Sequence, residues 1–318
     1  MSGDVFDRIR LACARVAEVA KQVHIDAAGL ERLAGELVVS GIEPLLDPVH
    51  EPYEDPATTL AFVMTLDAIN FGSGWFPQLR KRDGCSGYFS VALALRERFD
   101  ARGAWSAAEL RTLTTQQCAD VFGQPDPDAQ ELMAHFAQAL RDLGAWLEER
   151  HAGSFEVAVA AAGCCAARLV EGLAQMPFYR DVTRYSGFEV PLYKRAQITA
   201  NDLATAFGGA GPGHFDDIER LTMFADNLVP HVLRCEGALV YDAELAGRIE
   251  SGERLAVGEP AEVEIRAVGL HAVERCVALC RAAGASVGAR LLDTLLWQRG
   301  QRPEIKAHPR HRARSTYY

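Results

Sequence analysis

Asp226 is the carboxylate of this chain whose neighbours point to chemistry. It lies in LTMFADNLVPHVL, residues 221–233, an apolar run with Val229-Pro230 just behind it. Proline is tolerated in the first turn of a helix, and aspartate is favoured as the residue that caps one. Asp226 is therefore either the cap of a helix over 228–236 or a carboxylate in an apolar pocket, able to shelter a developing cation or activate water. The two roles are compatible. A second feature precedes it. FGGAGPGHFDDIERL, 207–221, sets Gly208, Gly209, Gly211 and Gly213 around Pro212. Such a turn permits left-handed backbone and close approach, and a helix starting near 215–217 would offer free N–H groups to an anion. A bare structural turn is the other reading, with Asp216 and Asp217 as acidic residues at a helix start.

Further candidates flank this stretch. FYRDVTRYSGFEVPLYKRAQI, 178–198, carries Tyr193, Lys194, Arg195 and Gln197. Lys194 and Arg195 are either a solvated pair or an anion-binding pair. Glu264 and Arg266 alternate with apolar residues in EVEIRAV, as a solvated face or as groups aimed into a site. The glycine- and proline-rich stretch 42–87 holds His50, Asn70, Phe71 and Trp75, which suit a ligand-lining loop or a loop packed by its own aromatics.

The elements that must position these groups read as helices. Apolar residues recur at three- and four-residue steps over 4–22, 58–69, 88–99, 128–148 and 155–174. A helix capped by Asp26 follows the first, and others are expected over 200–207, 215–225, 228–236, 242–250, 262–282 and 285–297. The strand signals are few and short, the best being Leu192–Ile198 and Ala261–Ile265. The reading is a mainly α protein: one helical domain over 1–300, or two lobes within it, and a basic tail over 301–318. That tail, with five Lys or Arg and two His from 302 onward and no apolar face, is expected to be a mobile extension, with contact to RNA or phosphate as the other reading.

Composition removes several classes. The chain has 318 residues, 49% of them hydrophobic and 24% charged, which excludes disorder as its main state. Its 33 Lys and Arg stand against 43 Asp and Glu, a net charge of −10. That balance argues against non-specific binding to duplex nucleic acid or anionic lipid. Any anionic ligand must be held by a local cationic cluster. No apolar run approaches a membrane span, and residues 1–23 read as an amphipathic helix and not a signal peptide. Eight cysteines without a C-x-x-C pair suggest reduced thiols in a cytoplasmic protein, with no metal site.

Taken in order, NFGSGW (70–75), SGYFSVALAL (86–95), FYRDV (178–182), YKRAQI (193–198), LTMFAD (221–226), EVEIRAVGLHAVE (262–274) and LLDTLLW (291–297) resemble the queuosine salvage family. The resemblance covers about residues 26–298. YKRAQI and LTMFAD together are its specific part. The chain departs from the family pattern at Asn227, Leu228 and His231.

The resemblance implies a helical bundle similar to helix–hairpin–helix DNA glycosylases, and an N-glycosidase that releases queuine from queuosine 5′-phosphate without metal or organic cofactor. It implies a small-molecule partner, with neither a stable nucleic-acid complex nor a membrane. Asp226 matches the position expected of the catalytic carboxylate, with Asp217 a lesser candidate for placing water. Phe71 or Trp75 would stack on the base. Asp67, Asn70 or Gln197 would read its edge, and Lys194, Arg195 and the 208–217 turn would meet the phosphate. Tyr193, His50, Glu264 and Arg266 complete the expected site. A glycosylase acting on a base within a nucleic acid, and a non-catalytic helical binding protein, are the competing readings.

Overall fold

Nearly every helical period in the sequence is realised as a helix in the computed structural model, which describes residues 3–40 and 51–318. The chain divides into two compact units. Unit 1 comprises 1–45, 181–194 and 219–314; unit 2 comprises 46–180, 195–218 and 315–318.

Unit 1 is organised on the 23-residue helix Pro260–Ala282. Helix Val5–Val19 begins where the Asp4 carboxylate accepts the Phe6 and Asp7 N–H groups, and packs Val5, Ile9, Cys13 and Val16 into the core against the long helix. Strand β1 (Val23–Ile25) follows. Asp26 then caps helix Ala27–Ser40 through its carboxylate, 2.6 Å from the Gly29 nitrogen. A side chain at Gly29 would strike the Gly237 carbonyl, its Cβ only 1.9 Å away, so this contact requires glycine. Strands β2 (Val182–Tyr185) and β3 (Phe188–Pro191) form a hairpin. Its turn residues Ser186 and Gly187 both have positive φ, the geometry that suits the twist of a tight hairpin. Strand β4 (Leu239–Tyr241) pairs antiparallel with β1, Val23 opposite Tyr241.

Unit 2 is built on the 22-residue helix Gln130–His151, which buries Phe136, Leu140, Leu143 and Leu147. Shorter helices around it start on side-chain caps: Asp55 for Pro56–Ala68, Ser86 for Gly87–Arg102, and the reciprocal boxes Ser106/Glu109 and Thr114/Gln117 for the next two. Each such cap contributes about 1 kcal/mol.

Four expectations change. Both strand signals are helix. Leu192–Ile198 enters helix Lys194–Ala206, and Ala261–Ile265 opens the long helix. The alternation in EVEIR misleads because both its apolar and its charged residues are buried. The helix expected over 215–225 is a 3₁₀ turn, Ile218–Arg220, followed by an irregular run. The helix expected over 155–174 is two, Phe155–Ala160 and Ala166–Leu173, broken where Gly163 and Cys164 take left-handed φ values of 54° and 56°.

The tail is packed, and the expectation that it lacks a buried face does not hold. It carries the short helix Pro303–Lys306, and Ile305, His311, Ala313, Ser315 and Tyr318 are buried. The Arg312 carbonyl accepts from Leu255 within unit 1, and the Tyr318 carbonyl from Gly72 within unit 2. Charge outweighs apolar residues in this segment, but its small and aromatic residues suffice to seat it.

Candidate functional site

In unit 1 the site is assembled around Asp226. The carboxylate is half-buried. Its Oδ1 accepts the N–H groups of Leu228 (2.8 Å) and Val229 (3.0 Å), the entry to helix Val229–Cys235. Its Oδ2 makes no hydrogen bond among the described residues and is not sealed from solvent. One oxygen thus fixes the side chain, and the other keeps an unused acceptor. Pro230 sits in the first helical turn, where its missing N–H costs nothing.

Arg266 holds this segment from behind. It is 1% exposed and grips Asp181 with both terminal nitrogens, at 3.1 and 2.6 Å. Its Nε donates to the Ala225 carbonyl at 2.9 Å, one residue before Asp226. Asp181 in turn accepts the Lys194 N–H on its carboxylate, and the Leu192 and Tyr193 N–H groups on its carbonyl. This bends the chain sharply enough to leave Tyr193 left-handed, φ 47°, a conformation tolerated only where the surroundings enforce it. One guanidinium therefore couples the Asp226 loop to the 192–194 turn. Breaking such a buried pair from one side typically costs about 3–5 kcal/mol.

Glu264, also 1% exposed, is fully occupied. Oε2 accepts from the Lys21, Gln22 and Val23 N–H groups, and Oε1 accepts from the Tyr185 hydroxyl at 2.7 Å. Burial and this neighbouring carboxylate push the Tyr185 pKa up, so the phenol stays a donor. The sequence expectation of direct ligand contact at Glu264 and Arg266 gives way to structural work: their hydrogen-bonding groups are engaged within the protein.

In unit 2 a second cluster forms around Arg195. The guanidinium is 1% exposed. It donates to the Ala68 carbonyl at 2.6 Å and to the Phe178 carbonyl, and lies over the Phe71 and Tyr179 rings, 4.8 and 4.5 Å from their centroids. Such a held cation is a clamp on the 67–71 segment. Asn70 Nδ2 lies 3.4 Å from Asp67 Oδ1. Phe71 meets Phe136 and Phe178 edge-on, and Trp75 packs on His135. Gln197 and Asp67 are buried beside this cluster's elements, on helices Lys194–Ala206 and Pro56–Ala68.

Asp217 is placed differently from expectation. Both its oxygens serve helix Ala166–Leu173: Oδ1 accepts the Ala166 N–H at 2.6 Å, and Oδ2 the Ala167 N–H at 3.0 Å and the Cys165 thiol at 3.3 Å. The glycine turn is a 3₁₀ turn, Gly211–Gly213, with Gly208, Gly209 and Gly211 at positive φ. The helix start that would have offered it N–H groups is not formed. His50 lies outside the described residues. A cavity of about 320 Å³ in unit 2, lined by Trp146, Arg150, His151, Arg168 and Gln175 among others, contains none of the candidates. Among the described residues no group of three His, Cys, Asp or Glu has metal-binding geometry, and no helix is long and apolar enough to cross a membrane.

Two supports escaped the sequence reading. Asp293, the lone acid of LLDTLLW, accepts the Phe224 N–H at 2.9 Å and so fixes the run into Asp226. An acid inside an apolar helix was the available signal. The tail is the other. Asn227 Nδ2 donates to the His311 carbonyl at 3.3 Å, and His231 Nε2 lies 3.1 Å from the Ile305 carbonyl. Burial lowers the His231 pKa.

Comparison with known proteins agrees with the motif resemblance. The model of the queuosine salvage protein family matches residues 50–318. A Sphaerobacter thermophilus protein named queuosine 5′-phosphate N-glycosylase/hydrolase is 35% identical over 310 residues, covering 96% of this chain and 95% of the relative. Mouse and Nematostella vectensis proteins of the same name are 31% and 25% identical, each alignment covering 95% of this chain and 96% of the relative. The chain belongs to the queuosine salvage protein family.

Proposed function

We propose that this protein is a nucleotide N-glycosidase that hydrolyses queuosine 5′-phosphate and releases queuine for reuse in tRNA. The observation that carries the reading is the near full-length similarity to relatives named for that activity. The half-open Asp226 carboxylate supplies a matching chemical group.

Queuine is a 7-deazaguanine, with carbon where a purine has N7. Protonation at N7 is therefore unavailable to improve the leaving group, and catalysis falls on the sugar. As the C1′–N9 bond breaks, positive charge develops on C1′ and the ring oxygen. A fixed carboxylate offsets it. Water then adds at C1′; one of its protons leaves through the Asp226 carboxylate, and N9 of the departing base ends protonated. Asp226 suits both tasks because Oδ1 is held by two N–H groups while Oδ2 stays open. Asp181, Arg266 and Asp293 fix its backbone. In this reading Tyr193 and Lys194, on the turn that Asp181 organises, contribute ligand contacts, whereas Phe71 and Trp75, expected to stack on the base, are each 2% exposed and packed against aromatic neighbours within unit 2. The scaffold is proposed to be of the helix–hairpin–helix glycosylase type, supported by the mainly helical fold. A cytoplasmic location is supported by eight free cysteines.

The test is a hydrolysis assay with three substrates: queuosine 5′-phosphate, the nucleoside, and an oligonucleotide containing queuosine. Release of queuine from the mononucleotide in preference to the oligonucleotide is the expected result. Turnover on the oligonucleotide alone would replace this reading with the nucleic-acid glycosylase. No release from any of them would leave the binding-protein reading.

A further inference from the structure

A mononucleotide enzyme carrying a net charge of −10 needs a cation placed for the phosphate. Two of the arginines expected to matter are already committed. Arg195 is buried against carbonyl oxygens and aromatic rings, and Arg266 grips Asp181. The tail offers another, in the basic segment for which phosphate contact is one of the two readings.

Residues 305–312 run along the Asp226 loop. Asn227, next to Asp226, holds the carbonyl of His311, next to Arg310. His231, one turn further along the helix that Asp226 begins, meets the Ile305 carbonyl. The Arg312 carbonyl is anchored by Leu255. These three bonds, on both sides of Arg310, fix its backbone beside the candidate catalytic carboxylate. Its side chain is half-buried, yet the guanidinium makes no hydrogen bond or ion pair among the described residues. Two other guanidinium groups of this neighbourhood behave differently, Arg234 pairing with Glu250 and Arg266 with Asp181 and Glu262; Arg312 is exposed to solvent. Burial works against the charge on Arg310, Asp226 is the acidic group that offsets it, and the nearby Arg312 charge adds to the penalty. A partly desolvated fork of five donors with no acceptor is costly unless a ligand supplies one.

We propose that Arg310 is the substrate-phosphate ligand of this protein, so that the tail forms part of the site. The inference rests on the nucleotide-hydrolase reading above and adds the group that selects the phosphorylated substrate. In a nucleoside 5′-phosphate the anomeric carbon and the phosphorus are separated by only the sugar ring and one methylene. A cation beside Asp226 can therefore reach the phosphate while the carboxylate faces C1′. It also offsets the repulsion between carboxylate and phosphate, which would otherwise weaken binding. Arginine suits the task because its planar fork matches two phosphate oxygens at once.

Calorimetry with the two products, ribose 5-phosphate and queuine, separates this role from a merely structural one. Arg310→Ala is expected to weaken ribose 5-phosphate binding about 10- to 100-fold, the span of one lost charge-assisted hydrogen-bonding group, while queuine binds as in the parent protein. Arg310→Lys keeps the charge but not the fork and is expected to fall between them. Retained queuine affinity shows that the variant is folded. Should Arg310→Ala fail to fold, the same comparison is read on Arg310→Lys and Arg310→Gln. Unchanged ribose 5-phosphate affinity overturns the proposal, and so does an equal loss for both products. A lowered kcat with ribose 5-phosphate affinity intact also overturns it, assigning Arg310 to Asp226 alone. A parent protein that releases no queuine from queuosine 5′-phosphate and binds no ribose 5-phosphate sinks the functional reading itself, an outcome distinct from all of these.

Discussion

Asp226 and Asp217 begin from the same local device and end with different capacities. Each carboxylate accepts two backbone N–H groups at the start of a helix, Leu228 and Val229 for one, Ala166 and Ala167 for the other. Asp217 spends both oxygens, the second shared with the Cys165 thiol. Asp226 spends one. Its capping is thus compatible with chemistry, because the bonds that orient it leave an acceptor unused. A carboxylate saturated by N–H donors is held just as firmly but has nothing left to offer a cationic transition state.

The comparison is broken most directly at Asp226. Asp226→Asn keeps an oxygen for the Leu228 and Val229 N–H groups and removes the negative charge. Turnover on queuosine 5′-phosphate is expected to fall by about 10²–10³-fold, with the thermal midpoint nearly unchanged. Wild-type turnover in that variant would end the assignment.

Acid sharpens the contrast between the two regions. His311 is buried in unit 1, and burial, reinforced by Arg266, Arg310 and His231, lowers its pKa to about 3. An unfolded histidine titrates near 6.5. Between these values the unfolded chain binds a proton that the native site refuses. Stability is therefore fully present above about pH 6.5 and is lost as pH falls toward 3, at up to about 1.4 kcal/mol per pH unit. Hydrogen exchange should show the Asp226 region opening before the Gln130–His151 core of unit 2, and His311→Asn should flatten the slope. Uniform opening of both regions would refute it.

The smallest effect is expected at Asp217. Asp217→Ala should lower the stability of unit 2 by about 0.5–2 kcal/mol, the ordinary loss of a cap, while turnover per folded molecule stays at the parent level. A loss of turnover comparable to that of Asp226→Asn would restore Asp217 as a catalytic group.

Much of this was legible in the chain. Asp226 stood out because an acid in an apolar run ahead of Val-Pro combines a cap with low polarity. The helical periods of 4–22, 128–148 and 262–282 became helices because their apolar stripes face a core. What could not be read was which charged residues turn inward. Glu264 and Arg266 look like a solvated face or a ligand-facing pair until the N–H groups of residues 21–23 and the Asp181 carboxylate are brought to them from far along the chain. The tail was misjudged for the same reason. Local composition cannot reveal that His311 and Ala313 are covered by distant segments. Lys194 and Arg195 were adjacent candidates, yet Arg195 is fixed by carbonyls of Ala68 and Phe178, a duty no spacing rule announces.

Unit 1 is stitched from three stretches, 1–45, 181–194 and 219–314, and this has a consequence during synthesis. The Gln130–His151 core of unit 2 has most of its partners once about 180 residues have left the ribosome. The bed of Asp226 needs Arg266, Asp293 and the 305–312 segment before it closes, so the nascent polypeptide carries its N-terminal helix unsatisfied through most of translation. A stalled or prematurely terminated product would keep much of its helix content and lack the seat of Asp226, and chaperone dependence should track the wait for those last residues.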